Sequence, residues 1–457
     1  MSAPAARGAR RKVAVIGGGL LGMTMALRLR EAGAQVVLFE GADAPGGLAA
    51  GESFGDYRWD RFYHVILLSD LRTRALLAEL GLSDKLRWGI SKTGFFTDGK
   101  LHSMSNSVEF LRFAPLRLID KLRLGATIFH GSRIKDPAPL EQILAVDWLR
   151  KWSGKRVLDK IWLPLLKSKL GENYRIASAA FIWAIIARMY AARRSGLKQE
   201  MFGYIDGGYD VVLSRLSARL EKDGVECRYA CPVDAVRDTG EGVLVDVPGD
   251  DNLPFDAAVL TTPPHLSADL CPELPESEAA RLRAVTYQGV ICATMLTREP
   301  LSPYYVTNIT DRWVPFTGII EMTALVDRQR FGGNSLVYLP LYLPLGDAAW
   351  QTGDDALQEQ FLAALEKMYP SFSREQVLDF KVARARQVLA ISTLDYSRSV
   401  MPPVKGAARN LYFVNASRIA YGTLNVNETL GLVDAELPGL LETLGLVMGR
   451  RAAGTVS

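Results

Sequence analysis

The chain opens on a pattern that few folds accommodate: an apolar run, a glycine-rich turn, a periodic segment and a second apolar run. Lys12–Ile16 is short, β-branched and bounded by glycine, which is typical of a strand buried in a parallel sheet. Gly17–Gly19 predict a turn, and Leu20–Ala32 has helical periodicity. Gln35–Phe39 predicts a second strand, which Glu40 follows directly. The pattern therefore predicts a strand–helix–strand unit at the start of the chain.

The turn in this unit has the GxGxxG spacing of a dinucleotide-binding loop. Gly17 permits the tight turn, Gly19 lets the backbone approach a pyrophosphate, and Gly22 lets the helix pack closely on the sheet. The first helical turn presents unpaired N–H groups and the positive end of its dipole to the phosphates. The predicted phosphate-binding residues are Gly17, Gly19, Leu20, Leu21 and Gly22.

The residues after the second strand indicate which dinucleotide binds. Glu40 can accept hydrogen bonds from ribose hydroxyls and would repel a 2′-phosphate, so the pattern disfavours NADP. A short polar spacer then leads to the pair Gly46-Gly47 and to Leu48. This arrangement resembles the superfamily of FAD-dependent flavoproteins that contains amine oxidase, protoporphyrinogen oxidase, phytoene desaturase and UDP-galactopyranose mutase. The resemblance implies that these four residues contact FAD.

Later segments resemble the same superfamily. Residues 54–60, FGDYRWD, followed by His64 are similar to the segment that brings an aromatic residue, an aspartate and a histidine close to the flavin. The run that ends in Val233 is similar to the strand whose valine backbone contacts adenine. Residues 257–264 and 410–414 resemble the strands that return to the cofactor domain.

One position departs from the superfamily pattern. Its members usually end the last strand with Gly-Asp, whose acid binds the ribityl or pyrophosphate region, whereas this chain has Asn415-Ala416. Asn415 still forms hydrogen bonds but carries no charge. The resemblance also implies that the backbone of Glu428 and Thr429, at the start of the last helix, faces the flavin where negative charge develops on reduction. No cysteine or histidine stands in a flavin-attachment context near the C-terminus, so we expect noncovalent FAD.

The segments that resemble the cofactor domain lie at the start, middle and end of the chain, so we expect two interleaved domains. A chain of 457 residues is long for one core. The expected fold is α/β, with a Rossmann-like FAD-binding domain built from residues 1–70, 200–265 and 395–457. An α+β substrate-binding domain takes the remainder, with a helical part at 71–199 and a second part at 266–394 whose antiparallel sheet spans 285–345.

Composition excludes several other classes of protein. The net charge of only +4 argues against a dedicated nucleic-acid binder. The four cysteines form no CxxC pair and the four histidines are scattered, so we expect no metal site. Few cysteines and the absence of a recognisable signal peptide favour the cytoplasm.

Three side chains are candidates for chemistry, although a flavin can accept a hydride when the protein supplies little beyond orientation. His64 matches a histidine beside the flavin of the mutase-like members, and a histidine hydrogen-bonded in a turn is the alternative. Lysines near the flavin of amine oxidases can hold a water, and this resemblance makes Lys169 a candidate; a solvated helix end is the alternative. Glu321 stands in an apolar stretch, where a carboxylate either faces water or has a raised pKa and a role.

Residues 177–198 combine an apolar run with a basic end. The run is shorter than the roughly 20 residues that span a bilayer, so we expect a buried or interfacial helix. Its arginines would bind a phosphate or diphosphate on the substrate, lie at lipid headgroups on the inner face of a membrane, or be solvated. Aromatic residues of the predicted sheet would line the substrate pocket. The predicted substrate-binding residues are Arg188, Arg193, Arg194, Trp313, Tyr338 and Tyr342.

Three functions fit these features. The first is an FAD-dependent oxidoreductase that oxidises or desaturates a partly hydrophobic small molecule, such as a polyprenyl or carotenoid lipid or a tetrapyrrole. The second is a non-redox enzyme similar to UDP-galactopyranose mutase, in which arginines hold the diphosphate of a sugar nucleotide; the full arginine set of that family is not found here. The third is a flavin-binding scaffold without chemistry, which the Asn415-Ala416 departure keeps open.

Overall fold

The computed structural model describes residues 11–193 and 200–447, so Arg194 and the side chain of Arg193 lie outside the described part. The strands, in chain order, are β1 (Lys12–Ile16), β2 (Gln35–Phe39), β3 (Gly51–Phe54), β4 (Tyr57–Asp60), β5 (Ile66–Leu67), β6 (Leu86–Ile90), β7 (Thr93–Thr97), β8 (Lys100–Ser103), β9 (Met201–Ile205), β10 (Glu226–Arg228), β11 (Ala235–Asp238), β12 (Val243–Val247), β13 (Asp250–Phe255), β14 (Ala257–Leu260), β15 (Tyr287–Thr297), β16 (Val306–Ile309), β17 (Gly318–Glu321), β18 (Ser335–Pro344), β19 (Val377–Ala390) and β20 (Leu411–Phe413). The α-helices are α1 (Leu20–Glu31), α2 (Leu71–Glu79), α3 (Ser107–Arg112), α4 (Leu118–Arg133), α5 (Ala145–Ser153), α6 (Lys155–Val157), α7 (Leu163–Leu170), α8 (Ala179–Arg193), α9 (Tyr209–Lys222), α10 (Pro264–Leu270), α11 (Glu276–Arg283), α12 (Asp354–Met368) and α13 (Val426–Leu444).

Five strands form a parallel sheet in the order β10-β2-β1-β14-β20. Val13 and Val15 of β1 pack among α1, α9 and α13, whereas Ala14 and Ile16 pack towards the antiparallel strands β11, β12 and β13. Because both faces are covered, the inner strands are apolar along their length, as in other parallel sheets. The five strands come from the three segments assigned to the cofactor domain.

A second sheet has seven strands in the order β19-β15-β18-β17-β16-β7-β8. Its pairs are antiparallel except β16 with β7, which is parallel. Helix α12 covers one face of this sheet, and the other face packs against residues of β3, β4 and β9. The sheet extends beyond the predicted span of 285–345 in both directions, because it also contains β7, β8 and β19.

The extension at one edge comes from a hairpin inside the segment expected to be helical. Strands β7 and β8 are joined by Asp98 and Gly99, with φ of 54° and 71°. A two-residue Asp-Gly loop with both φ angles positive is typical of a β-hairpin whose turn matches the strand twist. The Asp-Gly pair that indicates this hairpin is present in the sequence. The expectation that residues 71–199 are helical is therefore wrong for β7 and β8.

Helices α4, α5, α7 and α8 form a layer beside the second sheet. Phe181, Ile182 and Ile186 of α8 are buried in this layer. The expectation of a buried helix is therefore met over the described residues of α8, and its apolar side chains do not form a lipid-facing surface. Among the helices of residues 11–193 and 200–447, none is long and apolar enough to cross a membrane.

Candidate functional site

The glycines after β1 have different roles. Gly17 and Gly22 are required by the backbone conformation and packing, whereas Gly19 leaves an open surface. Gly17 has φ of 108°, which favours glycine. A Cβ on Gly22 would lie 1.9 Å from the carbonyl oxygen of Gly17, so only glycine lets α1 pack this closely. A Cβ on Gly19 would meet no described atom within 4 Å. The surface at Gly19 is therefore open, as the approach of a pyrophosphate requires.

Glu40 is held beside this turn at the end of β2. Its Oε2 accepts a hydrogen bond from Gly18 N at 2.6 Å, and its Oε1 accepts one from Ala42 N at 2.8 Å. A carboxylate has about four acceptor positions, so capacity remains for the hydroxyls of a ribose. The backbone of Cys231, two residues before Val233, donates to Glu40 O at 2.9 Å, which brings the predicted adenine-binding segment alongside.

The glycine pair closes over the first turn. Gly46 N donates to Gly18 O at 2.9 Å, and Gly46 pairs with Gly19 in an isolated parallel bridge. Gly46 and Gly47 have φ of 136° and 55°, which residues with side chains rarely adopt. Leu48 follows in a half-buried 3₁₀ turn. The Gly17–Gly22 turn and the Gly46-Gly47 pair therefore contact each other and form one surface lined by backbone.

Asn415, which replaces the usual motif, lies in the interior after β20. Its Oδ1 accepts hydrogen bonds from the backbone N and the hydroxyl of Ser417, at 3.2 and 2.6 Å. Its buried Nδ2 has no hydrogen-bond partner among the described residues. A buried amide donor without a partner is costly, and an oxygen of a bound dinucleotide would satisfy it. The residues present therefore fit such a cofactor.

The start of α13 differs from the expectation. Asn425 caps the helix: its side chain accepts from Glu428 N at 3.1 Å and its backbone carbonyl accepts from Thr429 N at 3.0 Å. Since those two N–H groups are already used, the predicted role of Glu428 and Thr429 is corrected. The N–H groups left without helical partners belong to the first residues of the helix, Val426 and Asn427.

His64 lies next to a buried aspartate. Its Nδ1 is 3.6 Å from Asp60 Oδ2, and its ring centroid is 5.0 Å from that of Tyr209. The Oδ1 of Asp60 accepts a hydrogen bond from Tyr209 N at 2.6 Å. The Nδ1 of His64 is itself buried without a hydrogen-bond partner in the described part of the chain. The geometry therefore orients the His64 ring towards Asp60, the last residue of β4.

A cluster of polar side chains joins three parts of the chain that are distant in sequence. Lys169 Nζ on α7 lies 4.4 Å from the ring centroid of Tyr342 on β18 and 3.4 Å from its hydroxyl. The Tyr342 hydroxyl is 2.8 Å from that of Tyr63, in the loop after β4. Burial and the neighbouring Tyr342 raise the pKa of Tyr63 well above its usual range, so its hydroxyl stays protonated. We call Lys169, Tyr342 and Tyr63 the lysine–tyrosine cluster.

Four other predicted site residues make contacts within the fold. Tyr338 is fully buried, donates to Asp60 O at 2.6 Å, and has its ring centroid 6.0 Å from that of Tyr63. Trp313 is on the opposite side of the sheet, with Lys367 Nζ 4.0 Å from its ring centroid. Arg188 Nη2 lies 2.9 Å from the buried Asp70 Oδ2, and this ion pair occupies its charge.

Glu321 is the fourth, and it is enclosed completely. It accepts hydrogen bonds from Leu301 N at 3.0 Å and from Thr323 Oγ1 at 2.5 Å. Burial raises its pKa to about 7. These contacts do not reach the lysine–tyrosine cluster, so its raised pKa reflects burial in the interior of the sheet.

Comparison with known proteins identifies the family of the chain. The family model of flavin containing amine oxidoreductases matches residues 22–424. Coproporphyrinogen III oxidase of Mycobacterium leprae is 28% identical over 329 residues, which are 64% of this chain and 69% of that protein. Amine oxidase [flavin-containing] B of Bos taurus is 25% identical over 315 residues, 63% of this chain and 57% of that protein.

A solved structure supports the fold over nearly the whole chain. The structure of a protein from Exiguobacterium sp. 255-15, assigned as a protoporphyrinogen oxidase, superposes with a TM-score of 0.76. It covers 96% of this chain and 99% of its own, at 18% sequence identity. The match extends to both the cofactor sheet and the seven-stranded sheet.

Replacing Gly19 with valine should abolish FAD binding while the protein still folds. The Cβ of the new side chain would meet no described atom within 4 Å, so the side chain would occupy the surface that the pyrophosphate approaches. Flavin absorbance and thermal unfolding of the purified variant measure the two effects.

Gly353→Val is the matched control for this substitution. Gly353 is the N-cap of α12, with φ of −66° and ψ of 157°, close to the −69° and 172° of Gly19 at the N-cap of α1. A Cβ there also meets no described atom within 4 Å. Full flavin content in Gly19→Val, or its equal loss in both variants, would contradict the placement.

Glu321→Gln should flatten the dependence of stability on pH. The folded protein retains a proton on Glu321 up to a pH of about 7, whereas the unfolded chain releases it near 4.5. The free energy of unfolding therefore falls by ~3 kcal/mol as pH rises through this window, and glutamine removes that loss. Urea unfolding at pH 4.5 and pH 8 measures it. The exposed Glu276→Gln should leave the difference unchanged; a Glu321→Gln curve as steep as the wild type would refute the assignment.

Proposed function

We propose that this chain, which belongs to the flavin containing amine oxidoreductase family, oxidises a large, partly hydrophobic substrate that carries an anionic group. The chain is an FAD-dependent oxidoreductase acting on a small molecule. The substrate class is our inference, and reduced tetrapyrroles are its first candidates. The lysine–tyrosine cluster is the observation that carries the proposal.

The cluster supports binding of an anionic group because of its charge. Lys169 supplies the positive charge, and the described residues give its ammonium a tyrosine ring and a hydroxyl as neighbours in place of a carboxylate. A carboxylate on the substrate would form a charge-assisted hydrogen bond with this ammonium. Tyr63 and Tyr342, whose hydroxyls face each other, would orient it through neutral hydrogen bonds.

The surroundings support a large apolar body on the same substrate. Met189 of α8, Tyr63 and Tyr342 are partly exposed and pack against a buried group that includes Val290 and Cys292 of β15. Burial raises the pKa of the Cys292 thiol, which keeps it neutral. A tetrapyrrole joins an apolar ring to carboxylate arms, and this combination matches an apolar wall with one cation. Bound FAD supplies a two-electron acceptor.

Residues around the cluster would hold the substrate and exclude water. Lys169 would fix one end of the substrate by charge, and the tyrosine pair would limit its rotation. The His64 ring lies 3.6 Å from the buried Asp60. Holding a substrate in a fixed orientation accounts for much of the rate enhancement in enzymes that leave the chemistry to a cofactor. The protein's contribution is therefore mainly positional.

The sugar-nucleotide alternative depends on arginines that bind a diphosphate. Arg188, the predicted arginine whose side chain is described, is paired with Asp70. Because Asp70 already pairs with Arg188, this arginine supports the sugar-nucleotide alternative less well than the oxidoreductase hypothesis. The scaffold alternative also binds a flavin, so the unpartnered Nδ2 of Asn415 fits it as well as an enzyme. Membership of an oxidoreductase family supports the enzyme.

Lys169→Met should lower kcat/KM for a carboxylated substrate by roughly 10- to 100-fold, since a hydrogen bond to a charged group is lost. The assay follows oxidation of coproporphyrinogen and protoporphyrinogen, and of uncharged and amine substrates, with an artificial electron acceptor. The effect should be largest for the substrate with most carboxylates.

Lys167→Met is the matched control, since Lys167 is on the same helix, is half-buried and lies 5.2 Å from the ring centroid of Tyr174. It should retain wild-type kinetics. Oxidation of amines but of no tetrapyrrole, or equal kinetics in Lys169→Met and Lys167→Met, would contradict the proposed substrate class.

A further inference from the structure

Helices α3 and α4 carry large apolar side chains on their outward faces. Val108 and Leu111 of α3, and four residues of α4, each expose more than half of their surface. Those of α4 are Leu118, Ile119, Leu122 and Phe129. Single exposed apolar residues are ordinary, but six on two helices that contact each other mark a binding surface. We call these six residues the outer apolar face.

The pattern along α4 is the reverse of an ordinary surface helix. Residues 118, 122, 125 and 129 follow helical spacing on the outer side, where an ordinary helix has polar residues. The inner side carries the buried residues of the helix, which are Asp120, Lys121, Leu124, Thr127 and Gly131. Most of the large apolar side chains of α4 therefore lie on the side that faces away from the core.

Positive charge surrounds the outer apolar face. Arg112, Arg117, Arg123 and Arg133 are exposed beside it, and the Arg133 guanidinium lies 4.8 Å from the Phe129 ring centroid. The two acids between residues 107 and 135 are already engaged within the fold. Glu109 accepts hydrogen bonds from Ser103 Oγ and Ser105 N, and Asp120 is buried beside Arg156.

The helix pair is held firmly by the fold. Lys121 is buried, and its Nζ donates to the Leu111 carbonyl at 2.6 Å, which joins the end of α3 to α4. Helix α4 also packs on α5 and α8. The outer apolar face is therefore presented by a supported structure, and its exposure is a property of the folded protein.

We propose that the outer apolar face docks the protein on an anionic lipid bilayer. Apolar side chains of a surface helix enter the boundary between headgroups and acyl chains, while flanking arginines bind anionic headgroups. Charge complementarity selects this partner, because four exposed arginines flank the face and its acids are engaged. The lipid-binding role expected for residues 177–198 thus shifts to α3 and α4. This inference does not depend on the substrate of the enzyme.

The test uses the full-length FAD-loaded protein and sedimentation with vesicles. We expect binding to phosphatidylcholine vesicles that contain phosphatidylglycerol, weaker binding to pure phosphatidylcholine, and loss of binding at high salt. Leu118→Asn/Leu122→Asn should weaken binding by about tenfold or more, because the inserted apolar area is lost.

Leu71→Asn/Leu266→Asn is the matched control. Leu71 is the first residue of α2, as Leu118 is of α4, and both are 64% exposed. Leu266 is an exposed residue of α10. This variant should bind vesicles like the wild type, with the same flavin content as the α4 variant.

A second variant and its control test whether exposed arginines contribute to vesicle binding. Arg112→Gln/Arg117→Gln should weaken binding to anionic vesicles by about fivefold per arginine and leave binding to neutral vesicles unchanged. The exposed Arg215→Gln on α9 is its control.

Three results would overturn the proposal. One is a wild-type protein that binds neither kind of vesicle, and another is an α4 variant that binds as well as its control. The third is size-exclusion chromatography in which the wild type is a dimer and the α4 variant a monomer, since the face would then be a contact between two copies of the chain.

Discussion

The close approach of α1 to the end of β1 is the constraint on which the cofactor domain depends. A Cβ on Gly22 would lie 1.9 Å from the Gly17 carbonyl, so the helix can begin here only because position 22 has no side chain. The hydroxyl of Thr261, after β14, donates to the carbonyls of Ile16 and Gly17 from the other side. The turn is thereby fixed between a helix and a neighbouring strand.

That turn lies where the order of strands reverses. Strands β2 and β10 lie on one side of β1, and β14 and β20 lie on the other. Ligands of open α/β sheets bind at the carboxyl ends of the strands at this switch point. Glu40 follows β2, Thr261 follows β14 and Asn415 follows β20 shortly after its end, so residues from three chain segments meet at one edge. The interleaving of domains along the sequence is thus a consequence of how the sheet is assembled.

In the seven-stranded sheet, the alternation of side chains along a strand determines which residues face the cofactor domain. Alternation along β18 directs Tyr338 and Tyr342 towards the cofactor domain and Val337 and Leu339 towards α12. The two tyrosines differ in burial and in hydrogen bonding. Tyr338 is fully buried and its hydroxyl donates to the Asp60 carbonyl, whereas Tyr342 lies beside Lys169. One strand therefore supplies both a structural contact and a site residue, four positions apart.

Local patterns explain which parts of this structure could be predicted. The strand–glycine–helix unit and Glu40 are contiguous, so their spacing alone specified their geometry. The pairing of Tyr63 with Tyr342 joins residues 279 positions apart and has no local signal. Glu321 stands out in the sequence because it interrupts an apolar run, yet the folded chain encloses it completely. The superfamily resemblance implies a cofactor role for the backbone of Glu428 and Thr429. The cap formed by Asn425, which uses their N–H groups, has no sequence signal that separates it from that role.

The absorbance spectrum of the purified protein, taken through anaerobic dithionite reduction and acid precipitation, tests the central claim most directly. The account predicts a yellow protein that bleaches on reduction, regains its colour with an oxidant, and releases intact FAD into the acid supernatant because the backbone surface holds it noncovalently. A colourless protein that cannot be loaded with FAD would contradict the account, as would flavin that stays attached to the precipitated chain.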